Sequence, residues 1–178
     1  MKIKLLVTCL LALSIMSCND RPFQIDEVLL QCYETTYKDK GYNIKIIIKD
    51  YESLLVKEGV LNDDSGESYL QVIQNIYSDS DFRISAPTFQ DIDPFFKLDN
   101  KTKMDVIECE REMIELAKQT DSKWAKLSGN FQSQETNKNP KQMYEDMVAS
   151  LSENDLNSYY FKLKMFRLFD MVNPKLEN

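Results

Sequence analysis

Large apolar side chains recur every three or four positions along most of this chain, and that spacing constrains its fold more than any other feature. Between Asn43 and Gly59, the residues Ile44, Ile47, Ile48, Tyr51, Leu54 and Leu55 fall on one stripe of a 3.6-residue helix. Ile44, Ile46 and Ile48 also alternate, and β-branched residues favour strands, but the helical stripe runs longer. Asn43 supplies a cap and Gly59 a stop. The same spacing joins Ile25, Val28, Leu29, Cys32, Tyr33 and Thr36, with Gly41 as the stop, and then Tyr69, Val72, Ile73, Ile76 and Tyr77. A longer helix over 102–119 carries Val106, Cys109, Met113 and Leu116, flanked by Ile107, Ile114 and Ala117. Thr102 and Asp105 read as its capping pair, and Trp124 and Leu127 extend the pattern toward Gly129. Asn139, Pro140 and Gln142 open a further helix, whose inward side is Met143, Tyr144, Met147, Val148 and Leu151. Ser152 caps a last helix that runs to Pro174.

Polar stretches separate these segments. "NDDSGE" at 62–67 reads as a turn in which Gly66 supplies conformational freedom. "SGNFQSQETNKN" at 128–139 reads as a linker. The predicted fold is all-α: a single compact bundle of about six helices over residues 25–178.

Residues 78–100, "SDSDFRISAPTFQDIDPFFKLDN", break the period. Two prolines and many aspartates oppose a long helix. Phe82, Ile84, Phe89, Ile92, Phe95, Phe96 and Leu98 are nonetheless too apolar for a disordered segment. An ordered aromatic loop with a short helical turn is expected. The last helix carries Leu156, Tyr159, Tyr160, Leu163, Phe166 and Phe169, more than one narrow stripe requires. This excess predicts a shared, partly exposed partner surface formed by Phe89, Phe95, Phe96, Tyr159 and Phe166. The competing expectation is that the loop folds over the last helix and both are buried.

The chain opens "MKIKLLVTCLLALSIMSC". Lys2 and Lys4 precede a mostly apolar run from Leu5 to Met16, too short to cross a hydrocarbon core of ~30 Å. A basic start, a short apolar run and a small residue before polar sequence describe a secretory signal. Ile15, Met16, Ser17 and Cys18 resemble the lipobox of bacterial lipoproteins: an aliphatic residue, two mostly small residues, and Cys. The resemblance covers residues 1–18. It implies cleavage after Ser17, transfer of diacylglycerol to the Cys18 thiol, and acylation of the new amino terminus. Residues 18–24 then form a lipidated tether. Several acyl chains anchor stably, at ~0.8 kcal/mol per buried CH₂. In such lipoproteins Asp after the lipidated Cys marks inner-membrane retention. Here that residue is Asn19, so the resemblance implies the outer membrane over the inner. The abundance of Lys, Asn, Ile and Asp, with Ser before the lipidated Cys, resembles lipoproteins of the Bacteroidota.

Composition narrows the chemistry. Without residues 1–17 the chain keeps 20 Lys and Arg against 29 Asp and Glu, a net −9. That is unsuited to nucleic acid, where basic patches supply affinity. The chain has no His, which removes the usual general base and the commonest metal ligand. Four glycines leave no phosphate cradle. Aligning "NDDSGE" with a calcium loop puts Leu61 and Val72 at ligand positions, where neither can coordinate. Glu108, Glu112 and Glu115 recur along one helix, but Arg111 and Lys118 share that surface, as on a solvated face. No metal or cofactor is therefore expected. Cys32 and Cys109 lie on apolar stripes. They either pair in an oxidising compartment, if their Cα atoms come within ~7 Å, or pack as small core residues.

The expected function is that of a membrane-anchored, protein-binding accessory subunit of an envelope assembly. A carrier of lipid or another small hydrophobic ligand is the second expectation. An enzyme without His-based catalysis is the third. An apolar cavity would distinguish the carrier, an exposed aromatic patch the binding protein, and a buried carboxylate cluster the enzyme.

Overall fold

The computed structural model describes residues 25–118 and 140–173. The leader and tether with Cys18, the residues Trp124 and Leu127, the linker 128–139, and the side chains of Ile25, Ala117, Met143 and Tyr144 lie outside the described residues. Within them there are six α-helices and no strand: α1 (Ile25–Asp39), α2 (Ile44–Lys57), α3 (Gly66–Ser78), α4 (Asn100–Lys118), α5 (Pro140–Ser150) and α6 (Tyr159–Asp170). The all-α bundle expected from the periodicity is what forms.

Local chemistry sets most of the ends. The Asn43 side chain accepts the Lys45 and Ile46 amides at 3.1 and 3.3 Å, so α2 begins there. Gly41 and Gly59 close α1 and α2 with φ of 80° and 73°, backbone that L side chains rarely adopt. Pro140 is the first residue of α5, where its missing N–H costs nothing.

Three sequence expectations are corrected. Gly66 is not a flexible turn residue but the first residue of α3, after the cap Ser65. A Cβ at that position would collide with the backbone carbonyl of Glu153, and the Gly66 amide donates to Asn157 Oδ1 at 3.1 Å. Glycine is needed there for close approach. Thr102 does not cap α4 with Asp105. Asp99 accepts the Thr102 amide at 2.9 Å and its hydroxyl at 2.7 Å, while Asp105 pairs with Lys101. Those two Thr102 bonds hold the Asp99 carboxyl down to about 2. Ser152 does not start the last helix. Its amide and hydroxyl donate to Asp155, opening a 3₁₀ turn over Asp155–Asn157, and Ser158 caps α6 by accepting the Phe161 amide. A second serine placed directly before the aromatic run is the better cap, because it leaves the polar "ENDLN" outside the helix.

The segment between α3 and α4 is ordered, with 3₁₀ turns at Phe89–Asp91 and Pro94–Lys97. It straps across α6, which also packs against α1 and α2. At the centre, Tyr51, Phe89 and Phe166 sit with ring centroids 4.8–5.2 Å apart, and Tyr69 stacks on Phe169 at 6.1 Å. Leu29, Ile48, Leu55, Ile73 and Leu163 complete this core without exposure to water. Helix α4 packs on α1, and α5 packs on α3. On α4 only part of the predicted stripe is inward. Val106 is buried, Cys109 and Met113 are half-buried, and Ile107 and Leu116 face water.

Replacing Gly66 by Ala tests the close approach. Although Ala favours helix, the clash with Glu153 should lower stability by ~1–3 kcal/mol in urea unfolding. A stabilised variant would show that α3 does not dock as described.

Candidate functional site

Helix α6 reads YYFKLKMFRLFD, an apolar helix interrupted by Lys162, Lys164, Arg167 and Asp170. A charge in such surroundings must be paired, since an isolated one costs several kcal/mol. Their partners come from α2, α4 and the strap.

Lys162, 8% exposed, forms a salt bridge with Glu52 of α2 and donates to the Asp64 carbonyl at 3.2 Å. The Tyr69 hydroxyl of α3 donates to the same Glu52 oxygen at 2.8 Å. Lys164 pairs with Glu110 of α4 at 2.7 Å, and its ammonium lies between the faces of Tyr33 and Tyr160. The Tyr160 hydroxyl donates to Glu110 at 3.0 Å. Burial pushes the Lys164 ammonium down, Glu110 pulls it up, and neighbouring Arg167 pushes it down further. Arg167 grips Asp93 of the strap through two nitrogens, at 2.9 and 2.7 Å, and donates to the Tyr33 hydroxyl at 2.9 Å. Asp93 is wholly buried and also accepts the Tyr37 hydroxyl at 2.7 Å and the Phe95 amide at 3.0 Å. Burial and the Asp93 charge both drive the Tyr37 phenol up, so it stays a donor. Asp170 accepts the Phe89 and Gln90 amides, both at 2.8 Å, which binds the first 3₁₀ turn to the end of α6. Asn173 adds a bond to the Ala86 carbonyl at 2.8 Å, and the Tyr51 hydroxyl one to the Pro87 carbonyl, also at 2.8 Å.

The candidate partner residues are divided by this arrangement. Phe89 and Phe166 are wholly buried against each other, so they are core and not surface. The reason is the strap: bonded down by Asp170 and Asp93, it closes over α6. Phe95 is half-buried under the Arg167 guanidinium, 4.9 Å from its ring. Phe96, at 43% exposure, and Ile92, at 40%, face outward from the strap. Tyr159 lies at the other end of α6, about 12 Å along the axis from Arg167. It borders an open cleft of 480 Å³ between α1 and the start of α6, lined by Glu27, Gln31, Glu34, Lys45 and Asn157. Lys45 covers its ring at 5.8 Å while pairing with Glu34 at 2.7 Å. Tyr159 and Phe96 therefore do not form one surface.

Cys32 and Cys109 are joined in a disulfide, with Cα atoms 5.7 Å apart, linking α1 to α4. Glu108, Glu112 and Glu115 are exposed, and Arg111 pairs with Glu108. Among the described residues no group of acidic or Cys side chains is arranged to hold a metal ion, and no helix is long and apolar enough to cross a membrane. Sequence reasoning missed Glu52, Asp93, Glu110 and Asp170. The available signal was the run of cations inside a strongly aromatic helix, which demands carboxylate partners for Lys162, Lys164 and Arg167 on other parts of the chain. Comparison with protein-family models, curated proteins and solved structures finds no match.

Replacing Asp170 by Asn tests the strap. Burial holds the Asp170 carboxyl above the ordinary 3.8, against the pull of the two amides. A carboxyl raised by folding contributes stability that is fully present below that value and is lost as pH rises through the raised one. The stability of the native protein relative to the variant should therefore decline as pH rises from about 4. Urea unfolding across pH 3–7 reads this, and a relative stability that rises with pH would contradict it.

Proposed function

We propose that this chain is a lipid-anchored helical protein of the bacterial envelope that binds a protein partner, as an accessory subunit of an assembly. The observation that carries the binding role is the outward placement of Ile92 and Phe96 on a strap whose backbone is held by buried carboxylates. Apolar side chains on a backbone already ordered lose little entropy on docking. Aromatic anchors of this kind concentrate interface energy. Anchoring is supported by the lipobox-like residues Ile15 to Cys18, and location outside the cytoplasm by the Cys32–Cys109 disulfide, a bond favoured in oxidising compartments. The outer membrane remains the favoured site.

A carrier role receives less support. The central space is filled by Tyr51, Tyr69, Phe89, Phe166 and Phe169, and the cleft beside Tyr159 is open and lined by charge. Catalysis receives less as well. The buried carboxylates are committed to cations, hydroxyls or amides, not clustered with one another.

The test has two arms. Mass spectrometry of the mature amino terminus should find Cys18 acylated, and an unmodified chain starting elsewhere would remove the anchor. Changing Ile92 and Phe96 together to Ser should abolish cross-linking from the strap to an envelope protein, with a melting temperature within about 2 °C of the parent. Retained cross-linking, or collapse of the melting temperature, would refute the docking role.

A further inference from the structure

Helix α4 is attached to the rest of the protein differently from its neighbours. On α6, nine side chains are buried. On α4, among the residues whose side chains are described, Val106 alone is fully buried, while Met104, Ile107 and Leu116 face water. The helix rests on α1, with Val106, Met113 and Ile114 packed against the core, and its fastenings to α6 and the strap are polar. Glu110 meets Lys164 and the Tyr160 hydroxyl, Lys103 donates to the Phe96 carbonyl at 3.1 Å, and Asp99 approaches Lys40 at 3.8 Å. Exposed pairs of the last kind contribute little. The Cys32–Cys109 disulfide lies midway along both helices and spans 77 residues of sequence. Cys32 belongs to the core side of α1, and Cys109 is half-buried, so the bond is within reach from the α4 side.

We propose that α4 is a thiol-controlled arm: cleavage of Cys32–Cys109 releases it from α1, while α1, α2, α3 and α6 stay folded around their aromatic core. A dithiol reductant supplies the chemistry. One of its thiolates attacks the Cys109 sulfur, forming a mixed disulfide and expelling Cys32 as a thiolate. Its second thiol then closes on the first, freeing Cys109. Two electrons pass from the dithiol to the pair, and the chain is left with two thiols once Cys32 and Cys109 take up protons. Release withdraws Glu110 from Lys164 and from the Tyr160 hydroxyl, so the switch would leave an uncompensated cation beside Tyr33 and Tyr160 on the side that α4 occupies in the oxidised state. The aromatic core is closed by other elements: Tyr51, Phe89 and Phe166 pack on one another, and Tyr69 packs on Phe166 and Phe169.

Hydrogen exchange read by mass spectrometry on the full chain in detergent decides this, comparing the oxidised protein with the same protein in dithiothreitol. Amides of 103–116 should exchange at least about tenfold faster after reduction, with those of α2, α3 and α6 changed less than about twofold. A Cys32→Ser, Cys109→Ser variant should reproduce the reduced pattern without reductant. Unchanged exchange in α4 would show that packing alone holds it. Acceleration across all helices together would show that the disulfide holds the whole fold. Either result overturns the proposal. Should the double variant fail to fold while the reduced native protein keeps its core, the dithiothreitol comparison alone decides.

Discussion

The fold depends on charge buried along one apolar helix. Lys162, Lys164, Arg167 and Asp170 occupy α6 beside Leu163, Phe166 and Phe169, which admit little water. A buried ion pair contributes little net stability over a well-packed apolar pair, but one partner left alone costs ~3–5 kcal/mol. That asymmetry turns each charge into an address. Lys162 accepts only a packing that brings Glu52 of α2. Lys164 meets Glu110 when α4 is docked, Arg167 requires Asp93 of the strap, and Asp170 requires the amides of Phe89 and Gln90. Aliphatic stripes can slide or rotate against one another at modest cost, whereas these pairs specify register.

The strap shows how that constraint reaches the surface. Its prolines and aspartates prevent a long helix, yet its aromatic residues need burial. Asp170 and Asp93 resolve the conflict by supplying acceptors for backbone and side-chain donors that a loop would otherwise bury unpaired. With the backbone tied at both turns, Phe89 goes inward to Tyr51 and Phe166, and Phe96 stays outward. The same bonds that complete the core thus create the exposed apolar positions on which the proposed partner docking rests.

Much of the local order was legible from sequence, although the caps at Thr102 and Ser152 were misread because Asp99 and Ser158 offered competing ones. The stripe from Ile44 to Leu55, the Asn43 cap and the glycine stops at 41 and 59 depend on neighbours a few residues away, and they form as read. What depended on distant contacts was not legible. Gly66 resembles an ordinary turn glycine until Glu153, 87 residues later, is seen against it. An excess of aromatics suggested a patch because composition cannot tell that Phe89 and Phe166 fill the same space. Glu110 sat unnoticed among Glu108, Glu112 and Glu115, and only the position of Lys164 separates a half-buried anchor from a solvated row. The two cysteines were compatible with pairing or with plain packing, and the contact of α1 with α4 settles it.

A double-mutant cycle on Lys162 and Glu52 measures the addressing most directly. If the pair specifies how α6 meets α2, Lys162→Met and Glu52→Gln should each cost ~3–5 kcal/mol in reversible unfolding, and the double variant should cost clearly less than their sum. Small single effects that simply add would contradict it, and would return the fold to its aromatic packing alone.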